Sequence, residues 1–111
     1  MVVVIIEDKV NDDDLRKARE EYGDFVKIVI DFEKEKVAIG GEWHADAEKK
    51  LLELGSRQDD IWGGSIDLKT NKIETIALIN IRPRLRNDSQ EILDKKIKKR
   101  FVEITKQKFD L

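Results

Sequence analysis

The sequence predicts an α+β fold: a two-layer sandwich in which three helices pack on a mixed, mainly antiparallel sheet of about five strands. Three observations lead to this prediction. Short apolar runs alternate as strands do, longer runs have helical spacing, and together they follow the order βαββαββα. Short connections between neighbouring strands favour antiparallel pairing. The first six elements follow the split βαβ order, which points to a ferredoxin-like topology with a C-terminal extension.

The predicted strands are β-branched or alternating runs, and they cover residues 2–7, 25–32, 36–43, 60–68 and 72–83. The predicted helices cover about 12–22, 45–54 and 89–108. Asn11 suits the N-cap of the first helix. Gly23 is expected to end the first helix and Gly55 the second. The third helix has Asp88 as its expected N-cap. Its apolar stripe consists of Leu93, Ile97, Phe101 and Ile104.

Composition limits the class of protein. The 111 residues suit a single domain, residues 1–111, and 41% of them are charged while cysteine is absent. Such a composition is typical of thermophile proteins, and it excludes disulfides and cysteine ligands. The apolar start is too short for a signal peptide, and no apolar run approaches the ~20 residues that span a bilayer. We therefore expect a soluble cytoplasmic protein without a membrane partner.

Charge is distributed unevenly along the chain. Residues 1–60 carry 10 basic and 17 acidic side chains, a net charge of −7, whereas residues 82–108 carry 10 basic and 4 acidic ones, a net charge of +6. This basic region suggests an anionic ligand, a nucleic acid or an acidic protein as partner. Two other interpretations stay open: contact between opposite charges in a homo-oligomer, and a solvated helix on a surface rich in ion pairs.

The only histidine lies among three carboxylates, where a strand leads into a helix. Glu42 and His44 would share one face of the strand, with Trp43 on the core side, and Glu48 follows His44 by one helical turn. A histidine beside a carboxylate suits general acid–base catalysis, which makes His44, Asp46 and Glu48 the candidate catalytic residues. Acids at a helix N-terminus are also expected from the helix dipole alone. Imidazole and carboxylate groups could also hold a divalent metal such as Zn, Mn or Fe. With one histidine no paired-histidine motif exists, and we predict no metal ligands and no cofactor.

A second polar group follows the last predicted strand. Asn80, Arg82, Arg84 and Arg86 are two residues apart, so they share one side of an extended chain. Guanidinium groups at this spacing suit the oxygens of phosphates or carboxylates. The alternative is an internal role, because the same arginines could pair with the acidic N-terminal half, with Asp46 or Glu48 as candidate partners.

Aromatic residues and glycines add structural signals. Trp43 and Trp62 are expected to anchor the core rather than to stack on bases. Gly63 and Gly64 follow Trp62 within a strand pattern, which indicates a bulge or a close approach of another part of the chain.

Three motifs occur in order along the chain: H-A-D-x-E at 44–48, G-S-x-Q-x-x-[LI]-W-G at 55–63 and I-N-x-R-P at 79–83. Together they resemble the pattern of an uncharacterised family of small archaeal and bacterial proteins, a domain of unknown function. The resemblance covers most of residues 25–83 and implies no reaction. It does imply that six motif residues form one patch, namely His44, Asp46, Gln58, Trp62, Asn80 and Arg82. The sequence departs from the family pattern after Gly63 and after Pro83.

Two functional classes follow from these observations. The first is a binding module for an anionic ligand, a nucleic acid or an acidic protein. Its candidate ligand-binding residues are Gln58, Trp62, Asn80, Arg82, Arg84 and Arg86. The alternative is a small hydrolase or nuclease-like enzyme, in which His44 works with a carboxylate and Arg82 holds a charged substrate. The sequence does not decide between binding and catalysis.

Overall fold

The computed structural model describes residues 2–111, which form one five-stranded sheet and three helices. The strands are β1 (Val3–Ile6), β2 (Phe25–Asp31), β3 (Lys36–Gly40), β4 (Ile61–Asp67) and β5 (Lys72–Glu74). The helices are α1 (Asp12–Tyr22), α2 (His44–Glu53) and α3 (Lys95–Lys108). The α+β class, the five strands and the three helices are therefore confirmed, and every strand pair is antiparallel. Within residues 2–111, the helices lack the length and apolar character needed to cross a membrane.

The sheet has the strand order β1-β3-β2-β4-β5. Its first three strands are arranged as a split βαβ unit predicts, with β3 between β1 and β2. A ferredoxin-like sheet would then place β4 beside β1, but here β4 pairs with β2 instead. The connection from β3 to β4 therefore crosses the sheet towards the same edge as the connection from β1 to β2. However, β3 is antiparallel to β1, so the two connections start from strands that point in opposite directions. Because such crossovers are right-handed, α2 must lie on the opposite face from α1.

The two faces of the sheet bury different sets of side chains, since neighbouring residues of a strand point to opposite faces. One face packs against α1 and α3, and its buried residues include Val26, Ile28, Ile30, Val37, Ile39, Trp62 and Ile66. The other face packs against α2, and its buried cluster is Val29, Ala38, Ala47, Leu51 and Ile61. The molecule therefore has three layers, which differs from the expected two-layer sandwich.

Gly64 allows α3 to approach the sheet closely. A methyl group on Gly64 would lie 2.7 Å from ring atoms of Phe101 and would also meet the carbonyl oxygen of Glu74. Phe101 is fully buried at this contact. This is the close approach that the glycine pair in the strand pattern predicted.

The segment between β5 and α3 differs most from the prediction. The last strand ends at Glu74 rather than near Pro83, and α3 begins at Lys95 with Asp94 as its N-cap instead of Asp88. Leu93 consequently lies outside the helix and is exposed, whereas the rest of the predicted stripe faces inward. Residues 75–93 instead follow an irregular path made of short 3₁₀ turns and isolated bridges.

Two buried asparagines hold this irregular segment in place. The Asn80 amide accepts a hydrogen bond from Gly63 N at 2.8 Å and donates to Gly63 O and Gln90 O, both at 2.9 Å. It thus replaces, with one side chain, the two bonds that a neighbouring strand would make to Gly63. Asn87 donates to three carbonyl oxygens and accepts from Leu93 N. No sequence pattern predicts this arrangement, because a side-chain amide can imitate a backbone only when a fold brings the two together.

Candidate functional site

Most predicted site residues lie around two neighbouring clefts. The first, called the His44 cleft, has a volume of about 320 Å³ and is lined by Lys27, Trp43, His44, Ala45, Ile76, Ala77, Leu78, Ile79 and Gln90. The second, called the Arg82 cleft, has a volume of about 440 Å³ and is lined by Glu48, Gln58, Leu78, Ile79, Ile81, Arg82, Pro83 and Arg84. Leu78 and Ile79 line both clefts, so they form the ridge between them.

His44 is the first residue of α2, and the fold fixes its protonation. Its Nε2 lies 2.6 Å from the carbonyl oxygen of Gly64. A carbonyl oxygen can only accept, so Nε2 carries the proton and Nδ1 is the unprotonated nitrogen. Burial lowers the pKa of His44, the hydrogen bond to Gly64 raises it, and the nearby charge of Lys27 lowers it further, with burial as the largest effect. The imidazole is therefore neutral near pH 7, and within residues 2–111 its Nδ1 has no hydrogen-bond partner.

Lys27 brings a positive charge to the same cleft. It lies in β2 between two buried residues and is itself half-buried, which lowers the pKa of its ammonium group. Its Nζ lies 4.5 Å from the ring centroid of Tyr22 and 5.7 Å from that of Phe25. Among the described residues no carboxylate pairs with it. Within residues 2–111 the ammonium group contacts aromatic faces, so it is available to pair with an anion in the cleft.

The mouth of the His44 cleft is apolar. Trp43 is 59% exposed, Leu78 65% and Ile76 44%. The prediction that Trp43 anchors the core is wrong, while Trp62 is buried as expected. The reason is that β3 ends at Gly40, where positive φ angles at Gly40 and Gly41 turn the chain, so strand alternation no longer decides where Trp43 points.

The N-terminus of α2 also borders this cleft. The Asp46 carboxylate accepts a hydrogen bond from Trp43 N at 2.9 Å, so it caps the helix and does not contact His44. The backbone N–H groups of His44 and Ala45 have no acceptor within the described part of the chain. Unpaired N–H groups at a helix start carry partial positive charge and favour an anion.

The Arg82 cleft has a different character, because its arginine is already paired. Arg82 is only 6% exposed, donates to the carbonyl oxygen of Ile61, and lies 3.0 Å from the Glu48 carboxylate. Its guanidinium also stacks 5.4 Å from the Trp62 ring. Burial lowers the pKa of Arg82 and the Glu48 charge raises it. For Arg82 the internal pairing is confirmed, with Glu48 rather than Asp46 as the partner, and this charge is neutralised within the protein.

Of the other predicted residues, some line the Arg82 cleft and some lie outside both clefts. Arg84 forms an exposed pair with Asp59 at 2.8 Å and holds the pKa of that carboxyl below its usual range. Gln58 is exposed and lines the Arg82 cleft, but Arg86 and Asn80 line neither cleft, and Asn80 is fully buried. Their roles in ligand binding stay predictions. Residues 2–111 contain no group of three histidine, cysteine or acidic side chains placed to hold a metal.

Sequence reasoning missed several residues that line the His44 cleft, among them Lys27, Ile76, Leu78 and Gln90. One signal was available for Lys27, because it shares a strand face with the apolar residues Phe25 and Val29. A lysine on an apolar strand face needs an explanation. The other three lie on the irregular segment, whose path no local pattern predicts.

Comparison with known proteins places the chain in a family without adding a function. Its sequence and fold match no curated protein and no solved structure. A family model with the description "Protein of unknown function (DUF5674)" matches residues 4–108. This confirms the resemblance to an uncharacterised family, and the chain belongs to that family.

Proposed function

We propose that the protein is a binding module for a small anionic ligand with an apolar body, and that the His44 cleft is its binding site. The observation that carries the proposal is the combination of an unpaired Lys27 ammonium group and an apolar, exposed wall in one concave site. Apolar clefts with a few convergent polar groups and shifted pKa values are the usual form of small-molecule sites.

The apolar part of such a ligand would contact Trp43, Ile76 and Leu78. These side chains are exposed in the free protein, so covering them with a ligand removes apolar surface from water. The gain is about 25 cal/mol for each Å² that is covered. A flat or aliphatic body fits this wall, since Trp43 offers a ring face and the two aliphatic residues are not polar.

The anionic part would lie between Lys27 and the start of α2. The free N–H groups of His44 and Ala45 add the positive end of a helix dipole, worth about 0.3–1 kcal/mol for an exposed anion. Nδ1 of His44 can only accept a hydrogen bond while the imidazole is neutral. The ligand that suits the site best therefore carries an O–H or N–H donor beside its anionic group.

The alternative, a small hydrolase or nuclease-like enzyme, has less support. As predicted from the sequence, it pairs His44 with a carboxylate for acid–base work. The Nε2 of His44 instead donates to a backbone carbonyl, and Glu48 is paired with Arg82. Within residues 2–111 the predicted pair of His44 and a carboxylate is therefore not formed.

The test uses 8-anilinonaphthalene-1-sulfonate, an anion with an aromatic body, and N-phenyl-1-naphthylamine, which lacks the sulfonate. We expect the sulfonate to bind more tightly, and Lys27→Met to weaken its binding about tenfold, the effect of ~1.4 kcal/mol, without weakening the neutral probe. Lys49→Met, at an exposed lysine on α2, is the matched control. Shifts of the single imidazole in NMR spectra would locate the probe at His44. Equal effects of the two lysine variants, or an unchanged His44 signal at saturation, would contradict the proposal.

A further inference from the structure

We propose that the outward face of α3 binds the phosphate backbone of a nucleic acid. The face consists of a column of lysines, Lys95, Lys99 and Lys106, with Lys96 beside it. This site lies on a different helix from the His44 cleft, on the face of the sheet opposite α2, and the proposal does not depend on the function proposed for that cleft.

The orientation of α3 is fixed by its buried side. Phe101, Ile104 and Thr105 are buried against the sheet. At about 100° per residue, Lys95, Lys99 and Lys106 project within about 40° of one another on the opposite side. All three are exposed. The outward position of the three lysines therefore follows from the packing of the apolar stripe on the sheet. The lysines cannot turn inward unless the helix leaves the sheet.

The other cationic side chains of α3 already have partners within the protein. Lys98 pairs with Glu91 at 3.2 Å, and Arg100 donates to the carbonyl oxygen of Phe32 at 2.6 Å. Lys108 is buried and donates to the carbonyl oxygen of Glu7 at 2.6 Å. These contacts leave the outward lysines as the cations of α3 that a ligand can reach.

Few acidic groups oppose this column. Lys95, Lys96 and Lys106 form no ion pair within residues 2–111. Lys99 has only a long contact of 3.9 Å to Glu103, and both side chains of that pair are well exposed. Glu103 is the one carboxylate of α3, and Glu91 is held by Lys98. A partner with several negative charges would therefore meet three or four lysines and one weakly held acid.

The shape of the face suits an extended polyanion. The lysines border a shallow groove of about 460 Å³ together with Lys98, Val102 and Glu103. From Lys95 to Lys106 the helix rises about 16 Å, which is about five steps of 3.4 Å along one strand of a duplex. Several phosphates can thus be contacted at once by side chains as long and flexible as lysine.

Nucleic acid fits this face better than a membrane or a protein does. An amphipathic helix that enters a membrane offers apolar residues to the lipid, but the apolar stripe of α3 is buried and Val102 is the one apolar residue of the groove. Protein interfaces are commonly anchored by aromatic or arginine side chains, and the residues that line this groove include neither. Phosphate contacts need only cations, and they supply most of the affinity of non-specific nucleic-acid binding.

The test measures the anisotropy of a labelled oligonucleotide about 20 nucleotides long, single-stranded or as a duplex, from about 50 mM salt upward. We expect the logarithm of the affinity to fall against the logarithm of salt with a slope of about −3 to −4 for the duplex, as four phosphate contacts require. Lys95→Gln, Lys99→Gln and Lys106→Gln together should lower the affinity at least about tenfold. Each lysine–phosphate bond that these substitutions remove should also flatten the slope by about 0.9.

The matched control changes the net charge equally at another place. Lys49, Lys50 and Lys69 are exposed lysines outside α3, and replacing all three by Gln should leave the affinity within about twofold of wild type. Equal losses in the two triple variants would overturn the proposal, because net charge alone would then explain binding. It would also be overturned by absence of binding at about 50 mM salt, or by binding to phosphatidylserine vesicles or poly-L-glutamate in preference to the oligonucleotide. Thermal unfolding of each variant checks that the fold is intact.

Discussion

At the scale of single residues, the neutral state of His44 links stability to pH. Its folded pKa is lowered, chiefly by burial, relative to an unfolded value of about 6.5. Between these two values the unfolded chain binds more protons, so stability rises with pH across that window. The stabilising contribution is complete above about pH 6.5 and is lost as the pH falls through the window.

We therefore expect the wild-type protein to lose stability between about pH 7.5 and about pH 5.5 relative to His44→Gln, in which the side chain still offers a donor to Gly64 but does not titrate. Urea unfolding of both proteins at the two pH values measures this difference. NMR titration of the imidazole should give a midpoint below about 6.5. If both proteins change by the same amount, burial does not hold His44 neutral.

Some residue-level features could be predicted from the sequence and others could not. Asn11 caps α1 as expected, since a cap depends on residues three positions apart. The pairing of Arg82 with Glu48 could be named only as one alternative. The contacts of His44 with Gly64 and of Arg82 with Ile61 were not predictable, because the strand order brings these residues together. The two carboxylates expected beside His44 have other partners, the backbone of Trp43 and the guanidinium of Arg82.

At the scale of elements, the irregular segment 75–93 depends on Asn80. Replacing Asn80 with Ala removes its hydrogen bonds and leaves Gly63 N and the carbonyl oxygens of Gly63 and Gln90 without this partner inside the protein. We expect a decrease of about 3 kcal/mol in the free energy of unfolding, from the cost of buried unpaired groups. Gln58→Ala, at an exposed motif residue, should cost less than about 0.5 kcal/mol. Urea unfolding compares the two, and similar small decreases would show that Asn80 is not a structural clamp.

The elements with regular periodicity were predicted well, except for the end of β5 and the start of α3. The first four elements, from β1 to β3, were placed to within a few residues because alternation and capping are local. β5 ends early and α3 starts late for one shared reason. The buried apolar residues between them, Ala77 and Ile92 among them, pack from an irregular backbone, which has no period to recognise. Asn80 and Asn87 supply hydrogen bonds that a strand or helix would otherwise make.

At the scale of the whole molecule, strand order determined the layers and the clefts. Placing β4 beside β2 puts α2 alone on one face, where its N-terminus meets the segment that follows β5. No local signal distinguishes this order from the ferredoxin-like one, because both begin with a split βαβ unit. Once the strand order is known, the right-handed crossover rule predicts that α2 lies on the opposite face from α1. The order itself depends on long-range packing.

We expect the chain to unfold as a single cooperative domain in which α3 holds the C-terminal end to the sheet. Phe101→Ala should cost about 3–5 kcal/mol, because a fully buried ring is removed beside Gly64. Val102→Ala, one residue on and half-buried, is the control and should cost less than about 1.5 kcal/mol. In a Trp43→Phe background, fluorescence reports the buried Trp62 and circular dichroism reports the helices. Coincident transitions, shifted together by Phe101→Ala, are expected for one unit, whereas separate transitions would show that α3 unfolds independently of the sheet.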